Sequence, residues 1–319
     1  MRVAIIVPVS PYEPAEILVQ SVRHLKSLEF GKMRVKILYV LDLNGKNDNR
    51  GEILKKEGVE VLQRENTRGK RAGAINDALK ALKDFKPTYI AIFDVDSRPA
   101  KDFIVKCVKA LDAEPRAYIA SSPRYISNAT NLVSSTICAE YMLINFLLKR
   151  TGFKQFNGLI GVLRADYLFK YRLKEDAVAE DADFATRMHA KRFKALLVNT
   201  AVYEQAPLTW RDLLNQRERW YYGGLQLWKY WKDVKRSGRP KFIRGWVMAL
   251  TLTYFVFLLS PLILLSPPLI LYKFKNVKKL PVIAGLAIHA FLLQYAAFRA
   301  MVNFGKKKGV EWKAIKRSL

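Results

Sequence analysis

Apolar and polar residues alternate in blocks along the first two-thirds of the chain. Short, β-branched-rich apolar runs predict buried strands, and runs with helical periodicity predict helices between them. The predicted strands lie at 3–9, 35–41, 59–62, 89–93 and 117–121, and the clearest helices at 15–28, 102–113, 131–148 and 210–231. Strands that alternate with helices indicate an α/β fold with a mainly parallel sheet covered on both faces.

The C-terminal third has a different pattern. Residues 245–272 and 280–298 contain no charged side chain, and both runs are long enough to cross a membrane. We therefore expect a catalytic domain followed by C-terminal membrane helices. The expected boundaries are 1–228 for the catalytic domain, 229–244 for a basic interface segment, 245–304 for membrane segments (about 245–272 and 280–303) and 305–319 for a basic tail.

The number and orientation of membrane spans stay open. Prolines at 261, 267 and 268 interrupt the first apolar segment, and proline kinks or ends a helix. If the two segments formed a hairpin with a cytoplasmic N-terminus, four lysines between them would lie outside, against the positive-inside rule. One segment is therefore also compatible with a re-entrant or interfacial position.

The formal net charge of +27 implies an anionic partner. Much of the basic excess lies at 229–244 and 306–317, on either side of the apolar segments, which is typical of docking on an anionic membrane. The chain shows no nucleic-acid-binding motif, so we expect no nucleic acid partner. The two cysteines, Cys107 and Cys138, form no disulfide framework and suit a reducing compartment. No signal peptide is expected, because the apolar run at 3–9 is too short.

Two carboxylates follow the apolar run at 89–93. Asp94 and Asp96 are separated by one residue, so an extended chain points both to the same side. Ligands bind at the carboxyl ends of strands in open α/β sheets. A hard cation such as Mg²⁺ or Mn²⁺ suits such a pair and keeps positions open for substrate phosphates. The alternative is a solvated Asp-x-Asp turn.

Three further stretches carry candidate chemistry. The first, 66–79, is a basic glycine-containing loop that leads into a helix, an arrangement that presents backbone N–H groups and cations to phosphate. Glu180 and Asp181 begin a predicted helix, where the helix dipole alone also favours carboxylates. In the third, 216–224, Arg219 and Trp220 offer a phosphate clamp and a sugar-stacking face; an ordinary amphipathic helix is the alternative.

These stretches, in this order and followed by apolar segments, resemble the family 2 glycosyltransferases of GT-A (Rossmann-like) fold. The resemblance covers residues 1–245 and is closest to the membrane-bound branch that includes cellulose, chitin and hyaluronan synthases and ceramide glucosyltransferase. It rests on the opening strand with Pro8, Asp42 after the second strand, Arg68-Gly-Lys-Arg-Ala-Gly-Ala-Ile-Asn76, Asp94-Val-Asp96, Glu180-Asp181 and Gln216-Arg-Glu-Arg-Trp220. The chain departs from the family pattern at Leu43-Asn44-Gly45 and by an extra residue, Arg71, after Lys70.

The resemblance implies a role for each motif. The residues that would bind the donor are Pro8, Asp42 (which would contact the nucleotide base), Lys70, Asp94 and Arg219. Asp96 and Asp94 would hold the metal, and the catalytic pair would be Asp181, as general base, with Glu180. The donor diphosphate and the acceptor would be contacted by Gln216, Arg217, Arg219 and Trp220.

The expected function is an inverting, metal-dependent glycosyl transfer. The resemblance implies a nucleotide-sugar donor, foremost a UDP-sugar with GDP-mannose as the alternative, and Mg²⁺ or Mn²⁺ as cofactor. The expected acceptor is a lipid or lipid-linked glycan at the cytoplasmic face of the cell membrane. Alternatives are synthesis of short polysaccharides by a homo-oligomer and a catalytically idle subunit that binds nucleotide-sugar. The idle subunit would predict loss of a carboxylate at 96 or 181, and both are present.

Overall fold

A computed structural model describes residues 1–45 and 47–310. The part of the expected basic tail beyond residue 310 lies outside the described residues. The chain divides into two compact units. Unit 1 comprises Met1–Pro123 and Lys154–Tyr203, and unit 2 comprises Arg124–Phe153 and the chain from Glu204 onward.

The described residues form strands and helices at the following positions. The strands are β1 (Arg2–Val9), β2 (Arg34–Asp42), β3 (Glu60–Arg64), β4 (Tyr89–Ile92), β5 (Arg98–Pro99), β6 (Ala117–Ser121), β7 (Arg124–Ile126), β8 (Gly161–Arg164), β9 (Lys194–Leu197) and β10 (Val202–Glu204). The α-helices are α1 (Ala15–Lys26), α2 (Arg50–Lys56), α3 (Lys70–Ala81), α4 (Phe103–Ala113), α5 (Leu132–Arg150), α6 (Ala165–Tyr171), α7 (Glu180–Ala190), α8 (Trp210–Gln226), α9 (Trp231–Arg236), α10 (Pro240–Thr251), α11 (Ser266–Phe274) and α12 (Val282–Gly305). The 3-10 segments are Asn157–Leu159, Leu227–Tyr230, Leu252–Leu265 and Val277–Lys279.

Unit 1 is built on a seven-stranded sheet of order β3-β2-β1-β4-β8-β6-β9. The β1–β2, β1–β4, β2–β3 and β6–β9 pairs are parallel, whereas β8 runs antiparallel to both β4 and β6. The prediction of an α/β fold with a mainly parallel sheet is confirmed. Helices cover the sheet, as the unbroken burial of β4 and of the middle of β1 requires.

The strand order places the candidate chemistry at one edge of the sheet. Both β2 and β4 lie beside β1 and run parallel to it, so their carboxyl ends meet at the same edge. Asp42 ends β2, and Asp94 follows β4 by two residues. The chain order reverses across β1, with β2 on one side and β4 on the other, and such a switch point is where open α/β sheets bind ligands.

Unit 2 contains a bundle of α5, α8 and α12. Asn131 caps α5 by accepting a hydrogen bond from the backbone N–H of Ser134, whose hydroxyl bonds back to the Asn131 N–H. Gly285 of α12 lies against Thr136 of α5, where a Cβ would clash with the threonine hydroxyl. At the other end of α12, the Phe304 ring meets Tyr222 of α8 edge to face at 5.4 Å. Close packing therefore runs along the whole of α12.

Two described helices are long and apolar enough to cross a membrane, Leu132–Arg150 and Val277–Gly305, the latter including its leading 3-10 turn. In these helices 39% and 33% of the residues in the most apolar stretch are buried, so each helix has both a packed and an exposed part. The apolar residues 245–272 divide among α10, the 3-10 segment Leu252–Leu265, which contains Pro261, and α11. No single α-helix spans that predicted segment, because a 3-10 stretch lies between α10 and α11.

Candidate active site

The site in unit 1 is centred on the turn after β4. Asp96 is buried, whereas the Asp94 side chain retains 39% of its accessible surface. The Asp94 backbone N–H donates to the hydroxyl of Ser97, at 3.2 Å, which holds the turn. This turn therefore presents a partly exposed carboxylate next to a buried one at the sheet edge.

Arg71, in the first turn of α3, joins this turn to the Glu-Asp motif. Its Nε donates to Asp94 Oδ1 at 2.9 Å, and its Nη1 donates to Glu180 Oε1, also at 2.9 Å. Burial disfavours the charged guanidinium, but the Asp94 and Glu180 carboxylates outweigh burial and raise the pKa of Arg71 above its usual value. Arg71 is therefore a permanent cation within the carboxylate cluster.

The Glu180-Asp181 pair opens α7, as predicted. Glu180 is buried, and Asp181 is partly exposed. Asp181 Oδ2 accepts a hydrogen bond from the Gly158 backbone N–H at 2.5 Å, and its Oδ1 accepts one from the Ala182 N–H at 2.7 Å. These contacts fix the orientation of a carboxylate that still reaches solvent, which is what a general base requires.

Asp42, at the end of β2, lies in a second polar group. It is 5% exposed, and its Oδ1 accepts no hydrogen bond in the described structure, although Arg64 Nη1 lies 3.4 Å away. Burial raises the pKa of Asp42 to about 6, with the nearby Asp77 adding to the effect and Arg64 and Arg50 opposing it. A buried carboxylate oxygen without a hydrogen bond is costly, so this oxygen is suited to accept an N–H from a ligand.

The loop that carries Lys70 is held by ion pairs. Arg68 pairs with Asp77 at 2.9 Å and with Glu175, and Arg64 donates to the carbonyls of Arg68 and Lys70. The Lys70 side chain is exposed, and its backbone is left-handed with φ 48°. Of the two adjacent cations, the structure thus brings Arg71, not Lys70, to the carboxylates. Pro8 lies on β1 in register with Val40 of β2.

The motif Gln216-Arg-Glu-Arg-Trp220 lies on α8 in unit 2. Arg217 is buried, donates to Glu140 Oε2 of α5 at 2.6 Å and stacks over the Trp220 ring at 4.0 Å. His289 of α12 approaches the same Glu140 oxygen at 3.6 Å. Gln216, Arg219 and Trp220 are partly exposed. Arg217 therefore has a structural partner within unit 2, and the exposed members of the motif retain surface for a ligand.

The carboxylates of the Asp94 turn form an open set of ligands for a metal ion. The described residues contain no group of three or more His, Cys, Asp or Glu side chains arranged for a metal. Mg²⁺ is commonly bound by one or two carboxylates together with substrate phosphates, and Mn²⁺ also favours oxygen ligands. The residues present therefore fit a metal that arrives with a diphosphate rather than one in a closed protein site.

The sheet order and the carboxylates at its switch point define a class, the nucleotide-sugar-using α/β proteins of GT-A type. Comparison with known families is consistent with that class. Residues 89–301 match "Glycosyl transferase family group 2" and residues 4–166 match "Glycosyl transferase family 2". The chain belongs to glycosyltransferase family 2, and the resemblance found in the sequence is confirmed at that level.

Curated relatives include several plant mannosyltransferases. The chain is 25% identical over 262 residues to glucomannan 4-beta-mannosyltransferase 7 of Arabidopsis thaliana, covering 76% of this chain and 47% of the relative. It is 26% identical over 185 residues to a probable glucomannan 4-beta-mannosyltransferase 3 of Oryza sativa subsp. japonica, covering 55% and 33%. The chain thus spans about half or less of the length of these relatives.

Two solved structures share the fold. Mannosyltransferase PcManGT from Pyrobaculum calidifontis, in complex with GDP-Man and Mn²⁺, superposes with a TM-score of 0.64 at 17% identity, covering 96% of this chain and 88% of that one. S. aureus TarS 1–349 in complex with UDP superposes with a TM-score of 0.50 at 13% identity, covering 99% and 94%. At these identities the likeness concerns the fold, and it confirms the predicted GT-A type.

Two residues of the site were not singled out by the sequence motifs. Arg71 appears there only as an extra residue in the basic loop, and Gly158 belongs to none of the motifs. The sequence offers one clue to Arg71, namely that it is inserted into the motif between Lys70 and Ala72-Gly73-Ala74. Gly158 has φ +62°, a backbone region that favours glycine, but no local pattern in the sequence distinguishes it from other glycines.

Proposed function

We propose that this chain transfers mannose from GDP-mannose, with inversion of configuration, to a lipid or lipid-linked glycan acceptor at a membrane surface. The observation that carries the proposal is the single cluster in unit 1 that joins Asp94, Glu180 and Asp181 through Arg71 and Gly158. The choice of mannose follows the relatives, which include plant glucomannan mannosyltransferases and PcManGT in complex with GDP-Man. The UDP-sugar expected from the sequence is the alternative donor.

Asp42 supports a guanine nucleotide. Guanine presents two neighbouring N–H donors, at N1 and at the exocyclic N2, whereas uracil presents one, at N3. The buried Asp42 Oδ1 accepts no hydrogen bond within the described structure, and a two-donor edge satisfies a carboxylate as a bidentate pair. Leaving such an oxygen without a hydrogen bond costs about 1–3 kcal/mol. One base N–H is enough to satisfy it, and it is the second donor of guanine, which completes the bidentate pair, that favours guanine over uracil.

The departing nucleoside diphosphate carries the charge that develops during transfer. A divalent metal held by Asp96 and Asp94 would neutralise that charge when bound. The basic loop before α3 contributes further positive charge to the same edge of the sheet. We further propose that six residues contact the donor or the acceptor: Lys70, Pro8, Gln216, Arg217, Arg219 and Trp220.

Asp181 is the proposed general base. Its two oxygens accept hydrogen bonds from the Gly158 and Ala182 N–H groups, which hold the carboxylate while part of its surface stays open. It takes the proton of the acceptor hydroxyl as that oxygen attacks the anomeric carbon on the face opposite the diphosphate. A single displacement of this kind needs no enzyme nucleophile. Glu180 is committed to Arg71 and supports the cluster instead.

The proposed membrane contact uses the exposed apolar face of unit 2. Phe291, Tyr295 and Phe298 of α12 are more than half exposed, and lysines at 278, 279 and 306–308 lie at both ends of this helix. Apolar side chains flanked by cations are suited to an anionic bilayer surface. A lipid-linked acceptor presented there would reach an enzyme held at the same surface. The cytoplasmic orientation of the catalytic domain is part of the proposal and rests on the family resemblance.

The deciding experiment is a donor screen on detergent-solubilised protein with Mn²⁺. Thermal unfolding and nucleotide release are measured across GDP-mannose and a set of UDP-sugars, for wild type and for Asp96→Ala. We expect GDP-mannose to raise the unfolding temperature of wild type and to be slowly hydrolysed, and both effects to be lost in Asp96→Ala.

Each other outcome has a defined meaning. Stabilisation by a UDP-sugar alone would contradict the guanine assignment and keep the enzyme class. An unchanged metal dependence in Asp96→Ala would contradict the metal assignment. No response to any donor would favour the catalytically idle subunit. The matched control is Asp84→Ala, an exposed aspartate in the turn after α3 and outside the site.

A further inference from the structure

All three guanidinium nitrogens of Arg71 donate hydrogen bonds within the candidate site. Nε bonds to Asp94, Nη1 to Glu180 and Nη2 to the carbonyl of Gly158 at 2.5 Å. These partners come from three separate parts of the chain, namely the turn after β4, the start of α7 and the 3-10 segment before β8. One planar side chain therefore ties together three segments that lie far apart in the sequence.

Gly158 extends this link to the proposed base. Its carbonyl accepts from Arg71, while its N–H donates to Asp181. A Cβ at Gly158 would lie 3.2 Å from Arg71 Nη2 and 3.3 Å from Asp94 Oδ2, closer than a side chain is normally tolerated. The close approach and the left-handed backbone together require glycine. The position of Asp181 thus depends on Arg71 through Gly158, which bonds to both.

We propose that Arg71 is a positioning residue, which fixes the Asp181 carboxylate relative to the Asp94 turn so that base and donor are held in reacting geometry. This inference rests on the proposed function. A lysine in its place would keep the charge but offers one ammonium group, whereas the guanidinium fork holds three acceptors in fixed directions. A positive charge alone is therefore not sufficient to hold the three acceptors, and the planar guanidinium group is required.

Arg187 offers a matched control. It lies on α7, the same helix as Glu180 and Asp181, and it also holds one carboxylate and two carbonyls: Asp183 at 2.7 Å, Tyr171 O at 2.9 Å and Arg172 O at 2.8 Å. The partners of Arg187 lie outside the candidate site. Substituting it removes a comparable set of hydrogen bonds, so it reports the structural cost alone.

The test compares Arg71→Lys with Arg187→Lys in three quantities. These are the unfolding temperature and, for hydrolysis of the nucleotide-sugar donor, the KM and the kcat. We expect Arg71→Lys to lower kcat by about 100-fold, the cost of misplacing a catalytic group by ~1 Å, with the donor KM changed by less than about threefold. Arg187→Lys is expected to lower the unfolding temperature by a similar amount and to keep kcat near that of wild type.

Chemical rescue provides a second readout. Guanidinium added at millimolar concentration should restore part of the kcat of Arg71→Ala and none of that lost in Arg187→Ala, because only the first cavity faces the reacting groups. If Arg71→Ala fails to fold, the Arg71→Lys comparison decides alone.

Three results would overturn the inference. The first is a raised donor KM at unchanged kcat in Arg71→Lys, which would make Arg71 a ground-state donor ligand. The second is a loss of kcat no larger than in Arg187→Lys. The third is a wild type that turns over no nucleotide-sugar, which would reject the proposed function and this inference with it; the first two leave the proposed function intact.

Discussion

The substitution Asp42→Asn should stabilise the donor-free protein at neutral pH while weakening donor binding. Asp42 is buried beside Arg64, yet its Oδ1 accepts no hydrogen bond in the described structure. Burial raises the pKa of this carboxyl to about 6 from 3.8. A buried carboxylate with a raised pKa at the ligand-binding edge of a sheet is a candidate for ligand contact, and this prediction tests that role.

The size and sign of the expected change in unfolding free energy follow from the linkage between protonation and folding. Because the folded pKa lies above the unfolded one, the stability that Asp42 contributes is full below about pH 4 and is lost as the pH rises through 6. A shift of about two pKa units corresponds to about 3 kcal/mol. Relative to wild type, Asp42→Asn should therefore gain roughly 2 kcal/mol in unfolding free energy between pH 4.5 and pH 7.5.

The assay is urea unfolding of both proteins, without donor, at several pH values in that range. Asp48→Asn is the matched control, since Asp48 is a nearby buried aspartate whose pKa is lowered by hydrogen bonds from Arg50. Its stability contribution is present above the unfolded pKa and is lost only at lower pH. Asp48→Asn should therefore destabilise the protein by an amount that stays constant from pH 4.5 to pH 7.5, apart from a small change at the acid end.

Donor binding gives the second half of the prediction. The ionised carboxylate is the form that accepts two guanine N–H groups, so the dissociation constant of GDP-mannose should rise roughly tenfold from pH 7.5 to pH 5 in wild type. Asp42→Asn should bind weakly and lose this pH dependence. A pH-independent stability difference between Asp42→Asn and wild type would refute the reasoning, as would unaltered donor affinity in the variant.

Three further predictions concern catalysis, the unit 2 bundle and the membrane. Asp181→Asn should abolish transfer while donor affinity, measured by calorimetry, changes little; lost affinity instead would contradict its role as base. Glu140→Ala should destabilise unit 2 by about 3 kcal/mol in thermal unfolding, because it leaves the buried Arg217 without its carboxylate; a change below about 1 kcal/mol would show that the pair is dispensable. Phe291→Glu combined with Phe298→Glu should reduce binding to anionic-lipid vesicles in flotation assays, and undiminished binding would exclude this face of α12 as the membrane contact.

Local patterns in the sequence were enough to predict the strands β1, β2, β3, β4 and β6 of the sheet. The strands around residues 3–9, 35–41 and 89–93 are apolar runs of the right length, and burial on both faces leaves little alternative for them. The same holds for the placement of Asp42, Asp94 and Glu180, because each sits where a strand ends or a helix begins. These features depend on residues close together in the chain, and therefore the sequence reveals them.

The tertiary structure decided which side chains meet. Lys70 and Arg71 are adjacent cations, but the backbone of Lys70 is left-handed, and of the two only Arg71 donates to Asp94 and Glu180 in the described structure. Glu140 interrupts an apolar helix in the sequence without apparent reason, and its partner Arg217 lies 77 residues further on. Periodicity records which face of an element is buried, but not what the opposing element offers to that face.

The apolar residues 245–272 show the same limit. Composition identifies them as suited to a membrane, yet the chain there forms α10, a 3-10 segment and α11 in succession. Hydropathy measures the preference of side chains for an apolar environment, whereas the path of the backbone depends on prolines and on the helices available for packing. The sequence by itself thus determined the family, the sheet and the motifs. The tertiary structure alone decided that Arg71 and Gly158 complete the site, because their contacts join segments far apart in the chain.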